Sequence, residues 1–234
     1  NDSFSPSAGK PAQFVERIRN YDDVEIVDDW EPVKREDFYL VHEPHHVDAV
    51  LECRKRNGFN NTLPSVAASL PYTTGSFYHA AKGALEHGLT MSPTSGFHHA
   101  GYDFCMGYCT FNGLMVAAEM LKRDGLKGDI GIIDFDMHWG NGTDDIIKRG
   151  NIDYIRHLSF AAHIIHDAGW LDRLYSDLCD RFIGHNQKNS ACSILFYQAG
   201  ADPHVDDPLG GILTTEEMRK RDEIVFGFAK NTGI

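Results

Sequence analysis

Apolar and polar positions alternate in blocks along the chain, and the blocks predict strands and helices in turn. Three apolar, β-branched segments predict strands at 129–138, 155–160 and 193–202, and a shorter strand is expected just after Gly88. Capping residues and helical spacing predict helices at 44–56, 75–87, 114–125, 170–182 and from Thr214 to about Lys230. Strands that alternate with helices predict an α/β fold with a mostly parallel central sheet flanked by helices.

The length of 234 residues fits one α/β domain, and no repeat or linker-like tract divides residues 1–234. We therefore expect a single domain. After the last predicted helix the chain stops where the pattern would begin its next strand, so the sequence looks cut short at its C-terminus. In a parallel sheet, ligands bind outside the carboxyl ends of the strands, and the candidate chemistry is therefore sought there.

Composition narrows the functional classes. The chain is 42% hydrophobic and 24% charged, and its formal net charge is −12. No apolar run reaches the length of about 18 residues that a membrane span needs, and an acidic chain without a basic patch argues against direct nucleic-acid binding. Five cysteines without C-x-x-C spacing are typical of a reducing compartment, so we expect a cytoplasmic protein. The oligomeric state stays open.

Polar residues interrupt the apolar strand that begins near residue 129. Asp134, Asp136 and His138 stand at alternate positions, so one strand would present all three on the same face. Buried carboxylates need a metal or hydrogen-bonded partners, and a metal is the simpler explanation for three polar residues in one row. The Gly140-Asn141-Gly142 turn would let Asp136 and His138 converge on one ion.

Asp202 ends another apolar strand and is the natural third ligand, with Gly200 allowing close backbone approach. Two carboxylates and one imidazole leave coordination positions open, as in catalytic Zn²⁺ or Fe²⁺ sites that hold a water. The tandem His98-His99 follows a strand into the same expected crevice. Adjacent imidazoles there could serve as base and acid in hydrolysis.

A second pattern in the sequence matches a metalloprotease motif and is rejected. His42, Glu43 and His46 have the H-E-x-x-H spacing, but Pro44 lies between them. Proline is tolerated only in the first turn of a helix, so His42 should lie outside the helix and the two histidines would not face one metal.

Five stretches together resemble the histone deacetylase family, including its acetylpolyamine amidohydrolase relatives. They are SGFHHAGYD at 95–103, GYCTFN at 107–112, IDFDMHWGNGT at 133–143, HLSF at 157–160 and AGADPHVDDPLGG at 199–211. The resemblance implies the three-layer arginase/deacetylase fold and an amidohydrolase that removes acetyl groups from acetyl-lysine peptides or acetylated polyamines, releasing acetate. It also implies zinc on Asp136, His138 and Asp202.

The same resemblance implies roles for other residues. His99 would be the general base and acid, and His98 would pair with Asp134. Asn141 would be the partner of His99, as in class II members, and a neutral partner should make His99 less basic. The resemblance further implies that Gly107 and Tyr108 line the acyl-lysine tunnel. It also implies that Asp134 and Ser159 help to bind a structural potassium ion.

Two departures from the family keep alternatives open. The segment 160–166 departs from the family's second tunnel wall, so either that wall differs or residues are missing; it carries His163 and His166 as candidates for extra ligands. The family's Gly-Gly-Tyr segment, whose tyrosine binds the oxyanion, would lie beyond residue 234. The chain could then be a non-catalytic member that binds acylated ligands or partners. A third interpretation takes Asp134-x-Asp136 as the motif of a magnesium-dependent haloacid-dehalogenase-like phosphohydrolase.

Overall fold

A sheet of three parallel strands forms the centre of the computed structural model, which describes residues 9–94, 96–160, 169–183, 191–208 and 211–234. The strands are β1 (Asp129–Asp134), β2 (Ile155–Ser159) and β3 (Cys192–Gln198), in the order β2-β1-β3. Both neighbours pair with β1 in parallel, which confirms the predicted arrangement. Central parallel strands are covered on both faces, and the apolar side chains of β1 are accordingly inaccessible to solvent.

Eight helices occur among the described residues. Proline stands in the first turn of three of them, where its missing N–H costs nothing. In chain order they are α1 (Lys10–Ile18), α2 (Arg35–Phe38), α3 (Pro44–Leu51), α4 (Pro64–His87), α5 (Gly113–Arg123), α6 (Asn141–Gly150), α7 (Trp170–Phe182) and α8 (Thr215–Thr232).

The chain divides into two compact units. The first contains α1 to α5 together with α6, and the second contains the three strands with α7 and α8. The expectation of a single domain stays a prediction. His163 and His166 lie outside the described residues.

In the second unit, α7 and α8 pack together, and their apolar faces join the sheet in one buried cluster that includes Ile133, Phe135, Phe182 and Phe228. The predicted capping box opens α8, because the Thr214 hydroxyl accepts the N–H of Glu217 and the Glu217 carboxylate accepts the N–H of Thr214. The helix start that the capping-box pattern predicted is therefore confirmed.

In the first unit, α4 packs against α5, whose residues are almost all buried. The side chain of Asn112 caps α5 by accepting the N–H of Met115. Helix α4 begins at Pro64, eleven residues before the predicted start at Gly75, and continues through Pro71. The carbonyl of Pro71 accepts the N–H of Val33, so a neighbouring segment stabilises the backbone at this position.

Several predicted boundaries were wrong. Strand β1 ends at Asp134 rather than 138, and β3 ends at Gln198 rather than 202. Beyond Phe135, whose N–H still donates to Gln198, the backbone N–H groups donate to nearby carboxylates instead of to a neighbouring strand, which terminates the ladder. The described residues 89–94 form no strand, helix α3 ends at Leu51, and α6 begins where the sequence suggested only a turn.

Candidate functional site

The last residue of β1 supplies a buried carboxylate at the end of the sheet. Asp134 is fully buried, and its Oδ1 accepts the N–H of Asp136 at 3.2 Å and Nε2 of Gln198 at 3.1 Å. Gln198 and Ser159 are the partners of Asp134 on the two neighbouring strands. The parallel register therefore aligns polar side chains from three strands at one edge of the sheet.

Asp136, His138 and Asp202 come together beyond that edge. Nδ1 of His138 lies 3.0 Å from Oδ1 of Asp136 and 2.9 Å from Oδ2 of Asp202. One ligand atom from each of the three residues lies within 4.8 Å of the others. The structure thus brings together the three candidate ligands predicted from sequence, although all three stand in loops beyond the strands on which they were expected.

The backbone of this loop is held by the ligands themselves. Asp136 Oδ1 accepts the N–H of His138 at 2.8 Å, and Asp202 Oδ1 accepts the N–H of Met137 at 3.0 Å. Each carboxylate uses one of its oxygens for such a bond. The carboxylates are therefore oriented by the fold, as the ligands of a metal are when their geometry is preorganised.

The electrostatics of the cluster favour a cation. Burial, and after it the negative charge of Asp136, raises the pKa of Asp202 to about 6. The N–H of Met137 and the charge of His138 act in the opposite direction. Two carboxylates that repel each other beside one imidazole fit a divalent ion, and the half-exposed His138 leaves one side open, as in a catalytic site.

Arg221 is a residue of this site that the sequence analysis missed. Its guanidinium is almost fully buried, and Nη1 donates to the carbonyl oxygens of Phe135 at 3.3 Å and Gly200 at 3.0 Å. These carbonyls belong to the two loops that carry Asp136 and Asp202. A single side chain from α8 thus links both ligand loops.

The two loops also touch through their backbones. A Cβ at Gly200 would lie 2.5 Å from the Cα of Asp136, so only glycine permits this approach. The close approach that the sequence assigned to Gly200 is confirmed. The guanidinium of Arg221 lies 5.9 Å from the ring centroids of Phe135 and Tyr197, which adds favourable cation–π contacts on both sides. No local sequence pattern marks an arginine inside an amphipathic helix as part of a site.

The tandem histidines belong to the first unit. The rings of His98 and His99 lie 4.0 Å apart between centroids. The carbonyl of His98 accepts the N–H groups of Gly142 and Thr143 at 2.9 and 3.1 Å, in the first turn of α6. The first N–H groups of a helix have no acceptor inside it, so the carbonyl of His98 serves as their acceptor. The same hydrogen bonds hold the backbone of the tandem histidines in place.

His99 has a neutral partner, as the resemblance implied. Its Nδ1 lies 2.6 Å from Oδ1 of Asn141, and the Asn141 amide nitrogen points to Sδ of Met106 at 3.7 Å. An amide oxygen only accepts, so Nδ1 of His99 is the donor in this contact. A neutral ring with its proton on Nδ1 is the tautomer that a general base requires.

Gly107 lies directly against the ring of His99. It has a φ of +55°, and a Cβ at this position would lie 2.5 Å from Cδ2 of His99. Tyr108 also has a positive φ, of 63°, and its ring packs against Phe59 with centroids 5.8 Å apart. The substrate-tunnel role of Gly107 and Tyr108 and the pairing of His98 with Asp134 stay predictions.

In the rejected metalloprotease motif, His42 is buried and forms two hydrogen bonds. Helix α3 begins at Pro44, so His42 lies outside it, as the sequence argument required. Nδ1 of His42 donates to the carbonyl of Gly101 at 2.8 Å, and Nε2 accepts the N–H of Asn112 at 2.9 Å. Both ring nitrogens are therefore engaged in holding the segment after His98-His99 to the start of α5.

Comparison with known proteins identifies the family. Residues 10–163 match the model of the histone deacetylase domain. The chain belongs to the histone deacetylase family. This result confirms the resemblance drawn from the five sequence stretches.

Two curated members illustrate the match. A "Probable deacetylase" of Methanothermobacter thermautotrophicus is 27% identical over 215 residues, covering 78% of this chain and 64% of that protein. "Acetylpolyamine amidohydrolase 1" of Pseudomonas aeruginosa is 28% identical over 180 residues, covering 59% of this chain and 50% of that protein. The chain thus matches about half to two thirds of the length of these relatives.

The fold is shared with solved histone deacetylase structures. The crystal structure of a histone deacetylase homologue from Aquifex aeolicus matches with a TM-score of 0.73 at 20% identity, covering 95% of this chain and 70% of that one. The predicted arginase/deacetylase fold is thereby confirmed. Among the described residues, none of the helices combines the length and apolar character that crossing a membrane requires.

Proposed function

We propose that this protein is a metal-dependent amidohydrolase that cleaves acetylated amines, such as acetyl-lysine or acetylpolyamines, into acetate and a free amine. The observation that carries the proposal is the convergence of Asp136, His138 and Asp202 in a member of the deacetylase family. Zn²⁺ suits two carboxylates and one imidazole, and Fe²⁺ is the alternative. A divalent ion held there would polarise the amide carbonyl and acidify a water molecule.

The proton transfers fall to His99. In the neutral tautomer with Nδ1 protonated towards Asn141, Nε2 would accept the proton of the attacking water and return it to the leaving amine. The neutral amide of Asn141 orients the ring without adding a charge, which limits the basicity of His99. His98, held by α6, is assigned the supporting role that the family implies.

The substrate class follows from charge and relatives. An acidic chain with a net charge of −12 attracts a cationic substrate, and both lysine peptides and polyamines carry positive charge around the acetylated nitrogen. A relative named acetylpolyamine amidohydrolase supports the same class. We therefore propose acetylated cationic amines as substrates.

The metal requirement is tested by substituting one ligand and a matched surface acid. Asp136→Asn is expected to lower the bound metal and to abolish acetate release, while Asp172→Asn keeps both, since Asp172 is largely exposed on α7. The measurements are metal content of untagged protein and acetate release from the same preparations. If Asp136→Asn keeps both its metal and its activity, the proposal is wrong.

The substrate class is tested separately with protein of known metal content. Acetyl-lysine peptides and acetylated polyamines are compared by kcat/KM at low and high salt. We expect hydrolysis of at least one of these cationic amides, and a decline in kcat/KM with added salt because screening weakens the attraction of the acidic surface. Activity confined to neutral acetamides, or independent of salt, would contradict the role assigned to charge.

A further inference from the structure

A second histidine lies against the buried carboxylate at the end of β1. His157 stands on β2, two residues before Ser159, so both side chains leave the same face of that strand. Nε2 of His157 lies 4.0 Å from Oδ2 of Asp134, and both side chains are almost completely buried. This is the location to which family resemblance assigns a potassium ion, bound by Asp134 and Ser159.

The oxygen atoms that would bind potassium face N–H groups instead. Oδ1 of Asp134 accepts two N–H donors, from the backbone of Asp136 and the side chain of Gln198. The Ser159 hydroxyl accepts the N–H of Gly140 at 3.0 Å. A hard cation needs a shell of oxygen atoms, and the positive ends of N–H dipoles oppose it.

The space beside Oδ2 of Asp134 is filled as well. A Cβ at Gly140 would lie 2.5 Å from that oxygen and 3.0 and 3.1 Å from Cε1 and Nε2 of His157. Carboxylate, imidazole and glycine backbone are thus packed without room for a methyl group. The residues present do not fit the potassium ion that the resemblance implies.

We propose that His157 takes the place of the potassium ion, so that this family member needs no monovalent cation for its stability. The imidazole fills the volume and presents its polar edge to the carboxylate. Ser159 keeps a different task, which is to hold the N–H of Gly140 and with it the turn that leads into α6. The role of His157 at the end of the sheet does not depend on the proposed amide hydrolysis.

Thermal unfolding tests the proposal without an activity assay. The unfolding temperature of the wild-type protein is measured in KCl, NaCl and tetramethylammonium chloride, each at an ionic strength of about 0.15 M so that screening is equal. We expect the same temperature in the three salts. A saturable increase with potassium, absent with tetramethylammonium, would overturn the proposal by revealing a bound ion.

Variants assign the effect to the histidine. His157→Ser opens the space and adds a hydroxyl oxygen, so potassium is expected to raise its unfolding temperature by about 5 °C at saturating concentration. His204→Ser, at a histidine outside this cluster, serves as the control and should respond to no cation. If His157→Ser is as stable as the wild type and indifferent to potassium, the role given to His157 is wrong. Should this variant fail to fold, the salt series on the wild-type protein still decides the main claim.

Discussion

Acidification from pH 7 to pH 5 is expected to lower the free energy of unfolding, and His42 is one of two buried histidines that the structure identifies as causes. Burial lowers the pKa of His42 from 6.5 to about 3, and the neighbouring His46 contributes in the same direction. Protonation would also turn Nε2 from an acceptor into a donor and break its bond with the N–H of Asn112. The folded protein therefore keeps this ring neutral.

The magnitude follows from the two pKa values. Below pH 6.5 the unfolded chain takes up a proton at His42, whereas the folded protein does not do so until about pH 3. The stabilisation is complete above pH 6.5 and is lost as the pH falls towards 3, at about 1.4 kcal/mol per pH unit. Between pH 7 and pH 5 this linkage removes about 2 kcal/mol from the free energy of unfolding.

Urea unfolding at the two pH values measures this loss. His42→Gln removes the titrating group but keeps an amide that can both donate and accept, so its pH-dependent loss should be smaller by about 2 kcal/mol. His45→Gln, at the exposed histidine of the same segment, should lose as much as the wild type. A full pH dependence in His42→Gln would refute the reasoning. His46, whose pKa burial lowers to about 4, accounts for a separate part of the loss.

Three further predictions concern the site. Arg221→Met leaves two buried carbonyls without their donor, which should lower the free energy of unfolding by about 2–4 kcal/mol and weaken metal binding at least about tenfold. An unchanged metal affinity, measured by competition with a chelator, would contradict this prediction. Asn141→Asp places a negative charge beside His99 and should shift the acidic limb of the pH profile of kcat/KM to higher pH by about one unit. If this limb does not shift, the contact with Asn141 does not tune the proposed base. Gly107→Ala forces a methyl against His99 and should lower kcat about 100-fold, while Gly88→Ala, with a positive φ but open space, should leave kcat unchanged.

The sequence was sufficient to predict the main parts of the sheet and the convergence of three candidate ligands beyond it. Apolar strands that end in acidic residues are a pattern that burial and metal binding can produce together, so spacing pointed to Asp134 and to the candidate triad. The reason given for the triad was nevertheless partly wrong. Asp136 and His138 do not alternate on a strand, because Asp134 and Asp136 each capture the N–H two residues later. Local competition of this kind between side chains and backbone is invisible to periodicity.

Other features had no sequence signal. Helix α6 was missed because glycine on both sides of Asn141 is typical of a turn, whereas the structure uses the first N–H groups of that helix to hold the carbonyl of His98. Arg221 looked like an ordinary charged residue of α8. Its role arises from tertiary packing against Phe135 and Gly200, which are distant in sequence, and no local window contains both partners.

The link through Arg221 has a consequence for the order of events when the protein forms. The arginine follows Phe135 by 86 residues, so the loops that carry Asp136 and Asp202 stay unfastened until the last helix has been synthesised and has docked. Binding of the proposed ion would then follow the docking of α8 rather than precede it. A nascent chain that lacks α8 should consequently bind a divalent ion at the proposed site more weakly than the chain that contains it.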